Sequence, residues 1–171
     1  MSKTTAEEDF LRLLQQHRGI IVKICNSYCH SRNDREDLAQ EITYQLWRSW
    51  HLYQAEHVFS TWMYRVALNV AITHYRTGRK RLDTVQLEDY SAVLATMQET
   101  APAMEENILA LQRMIRALKE LDRALVLLYL ESKSYREIAE ILGISETNVA
   151  TKLGRIKGKL RQQFTKNIPN N

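Results

Sequence analysis

The chain has only two cysteines, two prolines and five glycines in 171 residues. Cys25 and Cys29 are too few for a disulfide framework. Their i, i+4 spacing inside an apolar pattern fits two small buried hydrophobes. His17 and His30 lie nearby, but four ligands at a recognisable zinc spacing are missing. The thiols are therefore expected to be reduced, as in a cytoplasmic protein. So little proline and glycine leaves few turn clusters, and a mostly helical chain follows. The longest purely apolar run, Ala124 to Leu130, has seven residues. That is far short of a bilayer span, and MSKTTAEEDF lacks the features of a secretory signal. There is no glycine-rich phosphate loop, no nucleophile beside a base and no paired metal-ligand motif. The expectation is a protein that is not an enzyme, with no cofactor, no metal and no small-molecule substrate.

What is present is an ordinary globular balance, 44% hydrophobic and 26% charged, with charge unevenly placed. Residues 106–171 hold 12 basic and 7 acidic residues, whereas residues 1–105 hold 12 and 13. The basic second half implies a polyanionic partner there. From Thr147 to Lys166 six bases occur with no acid (Lys152, Arg155, Lys157, Lys159, Arg161 and Lys166).

That basic run closes the most structured stretch, SYREIAEILGISETNVATKLGRIKGKL. Ser134 and Glu137 have the spacing of a capping box. Ile138, Ala139, Ile141 and Leu142 give the following helix a buried side. Gly143 stands where a helix end needs a left-handed backbone, and small Ala139 allows close helix packing. Ser145 can cap a second helix, in which Val149, Leu153, Ile156 and Leu160 form one apolar stripe. Asn148, Thr151 and Arg155 fall opposite the stripe, with Lys152 at its edge. A short helix, a glycine turn and a second helix with an outward polar and basic face read as a helix-turn-helix over about 135–154, whose second helix would enter the major groove. The other reading is a surface helix of an all-helical bundle with a solvated charge face, and DNA binding is the better fit.

Upstream, Thr5 and Glu8 suit a capping box for a first helix carrying Phe10, Leu11, Leu13 and Leu14. A second helix holds Ile20, Ile21, Ile24 and Tyr28 and ends near His30, with a possible break at Gly19. A third runs from about Asn33, its cap, to Trp50. Leu38, Ile42, Leu46 and Trp50 face its core side. Asp37, Gln40, Glu41 and Tyr44 share the opposite side, with Trp47 at the border. The acidic side reads either as a solvated face or as a docking face. His51 to Val58 is expected to be a loop, with Ser60 capping FSTWMYRVALNVAITHYR. That helix is apolar nearly all round, and only Arg65, Asn69, Thr73 and Arg76 make a polar stripe. Aromatic residues beside a basic run can stack unpaired bases while cations hold phosphates. Trp62 and Tyr64 fit that role or a place in the core. Residues 79–104 lose periodicity and read as a linker with a short helix near Asp89 to Met97. Pro102 suits the first turn of a new helix, and a further helix spans Glu120 to Leu130. The fold class is all α: two small helical domains, 5–78 and 105–166, joined by that linker.

Three blocks, in this order, resemble a sigma factor of bacterial RNA polymerase, in the extracytoplasmic-function group of the sigma-70 family. DREDLAQEITYQLW resembles the segment that docks on the largest polymerase subunit. FSTWMYRVALNVAITHYR resembles the segment that melts and reads the −10 element, and the helix-turn-helix resembles the reader of the −35 element. The resemblance implies polymerase contact by Asp37, Gln40, Glu41, Tyr44 and Trp47. It implies −10 contact by Trp62, Arg65, Asn69 and Arg76, with the loop 51–59 capturing a flipped-out base. On the −35 side it implies Asn148, Thr151, Lys152 and Arg155. One departure is Thr73, two residues before Tyr75, where many relatives carry Asp. The implied partners are core polymerase, promoter DNA and an anti-sigma protein, which can itself be membrane-bound. The rival readings are a helix-turn-helix regulator that acts without polymerase and a helical protein-interaction adaptor.

Overall fold

The computed structural model describes residues 3–82 and 103–167. Among them the regular structure is helical throughout, in eight α-helices: α1 (Lys3–Gln16), α2 (Arg18–Tyr28), α3 (Arg32–Ser49), α4 (Phe59–Leu82), α5 (Ala103–Arg116), α6 (Glu120–Leu130), α7 (Tyr135–Leu142) and α8 (Glu146–Asn167). A single 3-10 turn, Trp50–Leu52, follows α3.

Local chemistry sets most of the boundaries. Ser31 caps α3, its Oγ accepting from the Asp34 amide at 3.1 Å. The expected cap, Asn33, is already helical, because the serine reaches the third amide first. Thr5 likewise lies inside α1, which starts at Lys3. The break before α2 falls at His17 rather than Gly19, and α2 ends at Tyr28. α4 starts at Phe59, one residue ahead of Ser60. The Val58 carbonyl accepts from Thr61 and Trp62 as the first turn closes. α4 then runs to Leu82, past the expected domain edge at residue 78. The expected short helix near Asp89 to Met97, and Pro102, lie outside the described residues.

Burial follows the apolar periodicities. Ile24, Leu38, Ile42, Leu46, Met63, Ala67 and Ala71 are fully enclosed where α2, α3 and α4 meet. Leu125, Leu128, Ile138, Val149 and Leu153 do the same for α6, α7 and α8. Each of these side chains larger than alanine contributes about 1.5–3 kcal/mol relative to exposure. The two groups are continuous: α4 packs on α6 and α7, and α2 packs on α5 and α6. One hydrophobic cluster runs from Phe10 to Ile156. No helix among the described residues is long and apolar enough to cross a membrane.

Candidate functional surfaces

The α3 surface follows from its sequence register. Leu38, Ile42 and Leu46 are fully buried, so Asp37, Gln40, Glu41, Tyr44 and Trp47, offset around the helix, all stand exposed. Tyr44 is 56% and Trp47 43% exposed, which is a large apolar area to leave in water. Glu41 is partly engaged, accepting from Gln45 Nε2 at 2.9 Å. Gln40, Thr43, Tyr44 and Trp47 form one wall of an open groove. The other wall is α1, through Glu7, Phe10, Leu11 and Leu14. Trp47 leans on Phe10, with ring centroids 5.1 Å apart. The α1 wall was not foreseen. Phe10, Leu11, Leu13 and Leu14 cover an arc of about 160° on a helical wheel, and Leu11 at its edge is 58% exposed.

On α4, Arg65, Asn69, Thr73 and Arg76 form one exposed stripe. They can do so because Met63, Tyr64, Ala67, Leu68 and Ala71 take the buried side. Tyr64, at 3% exposure, belongs to the core, where burial pushes its hydroxyl up to about 12. Trp62 is half-buried in an aromatic cluster. Its ring lies 5.2 Å from Tyr53, 5.5 Å from Phe59 and 6.1 Å from Trp50. The same cluster anchors both ends of the 51–58 loop. Inside that loop the Tyr53 hydroxyl donates to the His57 carbonyl at 2.9 Å, and the His57 amide donates to Gln54. Leu52 and Val58 are each 67% exposed on it. Arg76 is set apart from its stripe, since its Nε donates to Glu120 at 2.7 Å.

The second half holds the helix-turn-helix geometry. The capping box is complete at Ser134 and Glu137, with both reciprocal bonds made. Gly143 takes φ 68° and ends α7. A methyl group added there would meet nothing within 4 Å. Its role is therefore the left-handed backbone, while Ala139 is the residue in the packed seam. Ser145 Oγ accepts from the Asn148 amide at 3.1 Å and starts α8. Val149, Leu153 and Ile156 are buried, which leaves Asn148, Thr151 and Arg155 exposed and Lys152 at the margin. Lys157 turns the other way, its Nζ 3.9 Å from the centre of the Tyr129 ring. It does not add to the outward basic face.

The described residues thus present an exposed apolar and acidic face on α3 and, in α7 and α8, the helix-turn-helix geometry of a DNA-binding protein. Comparison with known proteins agrees. Residues 13–81 match the family model for Sigma-70 region 2, and residues 108–160 match that for Sigma-70, region 4. Together the two matches cover well over half of the 171 residues. The chain is 28% identical over 170 residues to the ECF RNA polymerase sigma factor SigW of Bacillus subtilis strain 168, spanning 92% of this chain and 90% of that one. In fold it is similar to the sigma factor RpoE of Bartonella quintana, solved with the anti-sigma factor NepR. The TM-score is 0.68 at 18% identity, over 94% of this chain and 98% of that one. CnrH, solved with the cytosolic domain of CnrY, gives the same score and identity over 95% and 91%. The chain belongs to the sigma-70 family of RNA polymerase sigma factors, in the extracytoplasmic-function group.

Proposed function

We infer that this protein binds core RNA polymerase and directs it to particular promoters to start transcription. The observation that carries this is the placing of three differently built exposed faces on one chain, inside two matched regions in family order. In this reading Asp37, Gln40, Glu41, Tyr44 and Trp47 meet polymerase, joined by the α1 wall of the groove. Trp62, Arg65, Asn69 and Arg76 serve the −10 side with the 51–58 loop. Asn148, Thr151, Lys152 and Arg155 serve the −35 side. The two-domain division proposed from sequence, 5–78 and 105–166, is kept in this reading with its inner edges moved to the end of α4 and the start of α5, so that the linker is 83–102. The work is binding rather than chemistry: cations neutralise phosphate, and polar side chains on α8 meet base edges. Its place of action is the cytoplasm, where polymerase and DNA are. An anti-sigma protein is a further partner of this reading, by analogy with the NepR complex of the RpoE relative.

The test is run-off transcription with purified core polymerase on genomic fragments. Initiation at discrete start sites only when this protein is added supports the reading. A chain that binds duplex DNA tightly but neither co-purifies with core nor supports initiation would instead be a helix-turn-helix regulator.

A further inference from the structure

Tyr53 is the member of the aromatic cluster that belongs to the 51–58 loop. Its ring stacks on Trp50, with centroids 5.1 Å apart and planes 18° from parallel. Phe59 meets it edge-on at 5.5 Å and 88°, and Trp62 lies tilted at 5.2 Å. These three rings are themselves held from other elements. Phe10 of α1 meets Trp50 at 5.4 Å, and His17 meets Phe59 at 5.2 Å. Phe59 and Trp62 both lie in the first turn of α4. The Tyr53 ring is thus fixed in a framework built from α1, the end of α3 and the start of α4.

The far end of the same side chain holds the loop. Its hydroxyl donates to the His57 carbonyl at 2.9 Å. Among the described residues this is the only side-chain hydrogen bond made by residues 52–58. The Tyr53 amide donates to the Trp50 carbonyl at 3.0 Å, and the His57 amide donates to the Gln54 carbonyl at 2.9 Å. The turn 54–57 is therefore tied to the aromatic framework through one tyrosine. Every other side chain from 51 to 58 is exposed, Leu52 and Val58 at 67% each. A segment with so few buried contacts opens readily unless something else fixes its shape.

In the proposed function, on which this inference rests, the loop serves the −10 side by taking up an unpaired base. Extruding a base already costs its stacking. A loop that had to order itself on contact would add its own conformational entropy to that cost. A loop already in its receiving form avoids the second cost. Leu52 and Val58 suit such a ligand, because an unstacked base offers them an apolar face and offers the backbone its polar edges.

We propose that Tyr53 is a positioning residue for −10 recognition. Its ring, anchored among Trp50, Phe59 and Trp62, and its hydroxyl, on the His57 carbonyl, preset the 51–58 loop in the form that receives the base. Trp62 serves the −10 side in this scheme by bracing Tyr53.

The experiment removes the hydroxyl alone. Tyr53→Phe keeps every ring contact, and the full chain is assayed in complex with core polymerase. The probe is a single-stranded oligonucleotide carrying the −10 sequence of a promoter found by run-off transcription. An abasic site is moved along it until wild-type affinity drops, which marks the captured base. We expect Tyr53→Phe to bind the intact strand about two- to tenfold more weakly, the shift that one net hydrogen bond can produce. It should bind the marked abasic strand as the wild type does, since the form of the loop is immaterial when there is no base to receive. A merely structural role would weaken both strands alike. Equal weakening of both strands, or of neither, would overturn the proposal. Tyr53→Leu loses the ring anchor as well, so it should deepen the loss on the intact strand and again spare the abasic one. Amide exchange in the free protein is the second readout. The His57 amide should exchange faster in Tyr53→Phe while α3 and α4 keep their protection, and an unchanged His57 rate would also overturn the proposal. A wild type that never initiates, or that is indifferent to every abasic site, sinks the underlying reading instead and takes this inference with it. That failure is seen before any variant is made.

Discussion

Ser134 and Glu137 satisfy one another's backbone at the start of α7. The Glu137 amide donates to Ser134 Oγ at 3.1 Å, and the Ser134 amide donates to Glu137 Oε2 at 2.7 Å. The Ser134 hydrogen bonds hold the Glu137 carboxyl below its ordinary value of 4.5.

That depressed value sets the sign of a pH effect. A carboxyl with a lower pKa folded than unfolded adds stability that is complete above its unfolded pKa. The stability fades as pH falls through the folded value. Protection of α7 amides should therefore be flat from neutral pH down to about 5 and drop below about 4.5. Glu137→Gln can still cap, and it should flatten this acid loss. Ser134→Ala should cost about 1 kcal/mol at neutral pH. Hydrogen exchange across the acid range checks both, and an acid profile unchanged in Glu137→Gln would exclude the cap as its source.

The second prediction concerns docking. Asp37 and Glu41 are exposed opposite Leu38, Ile42 and Leu46, so replacing them leaves the core alone. Surface changes of this kind shift stability by less than about 0.5 kcal/mol, although loss of the Gln45 hydrogen bond belongs in that figure. An interface can concentrate its affinity in a few residues. Asp37→Ala with Glu41→Ala should keep a normal melt and normal DNA binding by the second half while weakening the complex with core polymerase about tenfold or more. A pull-down that retains full polymerase affinity would take this face out of the mechanism.

The third prediction is that the thiols are structural. Cys25 and Cys29 are 3% and 5% exposed, and Cys29 Sγ donates to the Asp34 carbonyl at 3.5 Å. Burial pushes the two thiols up to about 11 and about 12. Both stay protonated at neutral pH and are poor nucleophiles. Alkylating reagent should modify them only on unfolding. Changing both to Ala should cost about 1 kcal/mol each through lost packing and leave transcription indifferent to zinc. Stoichiometric zinc in the wild type, absent from the double variant, would refute this.

Helix positions and buried faces were legible in the sequence wherever a local rule decides them. The capping box, the left-handed Gly143, the Ser145 cap and the span Glu120–Leu130 all follow from neighbours a few residues away. The same holds for which side of α3, α4 and α8 faces out. What could not be read depends on long-range contact. The wheel of α1 does not reveal that Leu11 lines a groove with Tyr44 and Trp47, because α3 supplies the second wall. Arg123 looked like one more cation of a basic half. Its burial needs Ser27, Tyr28 and Tyr75, which stand 96, 95 and 48 positions away. Small boundary errors, such as Asn33 for Ser31, arose where two polar residues competed for one cap.

The last prediction separates base reading from phosphate holding on α8. Arg155 is exposed opposite the buried Val149, Leu153 and Ile156, and Lys152 lies at the margin of the same face. A guanidinium presents a planar fork that can bond two acceptors of one guanine edge, whereas an ammonium acts as a point charge toward phosphate. Arg155→Ala should therefore relax sequence preference at one position and cost about 1–3 kcal/mol on the preferred sequence alone. Lys152→Ala should weaken every sequence alike and lower the slope of log affinity against log salt by about 1. Lys157, turned toward Tyr129, is the internal control, and Lys157→Ala should change neither preference nor slope appreciably. The measurement is binding of the full chain with core polymerase to promoter variants at several salt concentrations. A double variant of Arg155 and Lys152 with unaltered affinity, preference and salt slope would remove this face of α8 from promoter recognition.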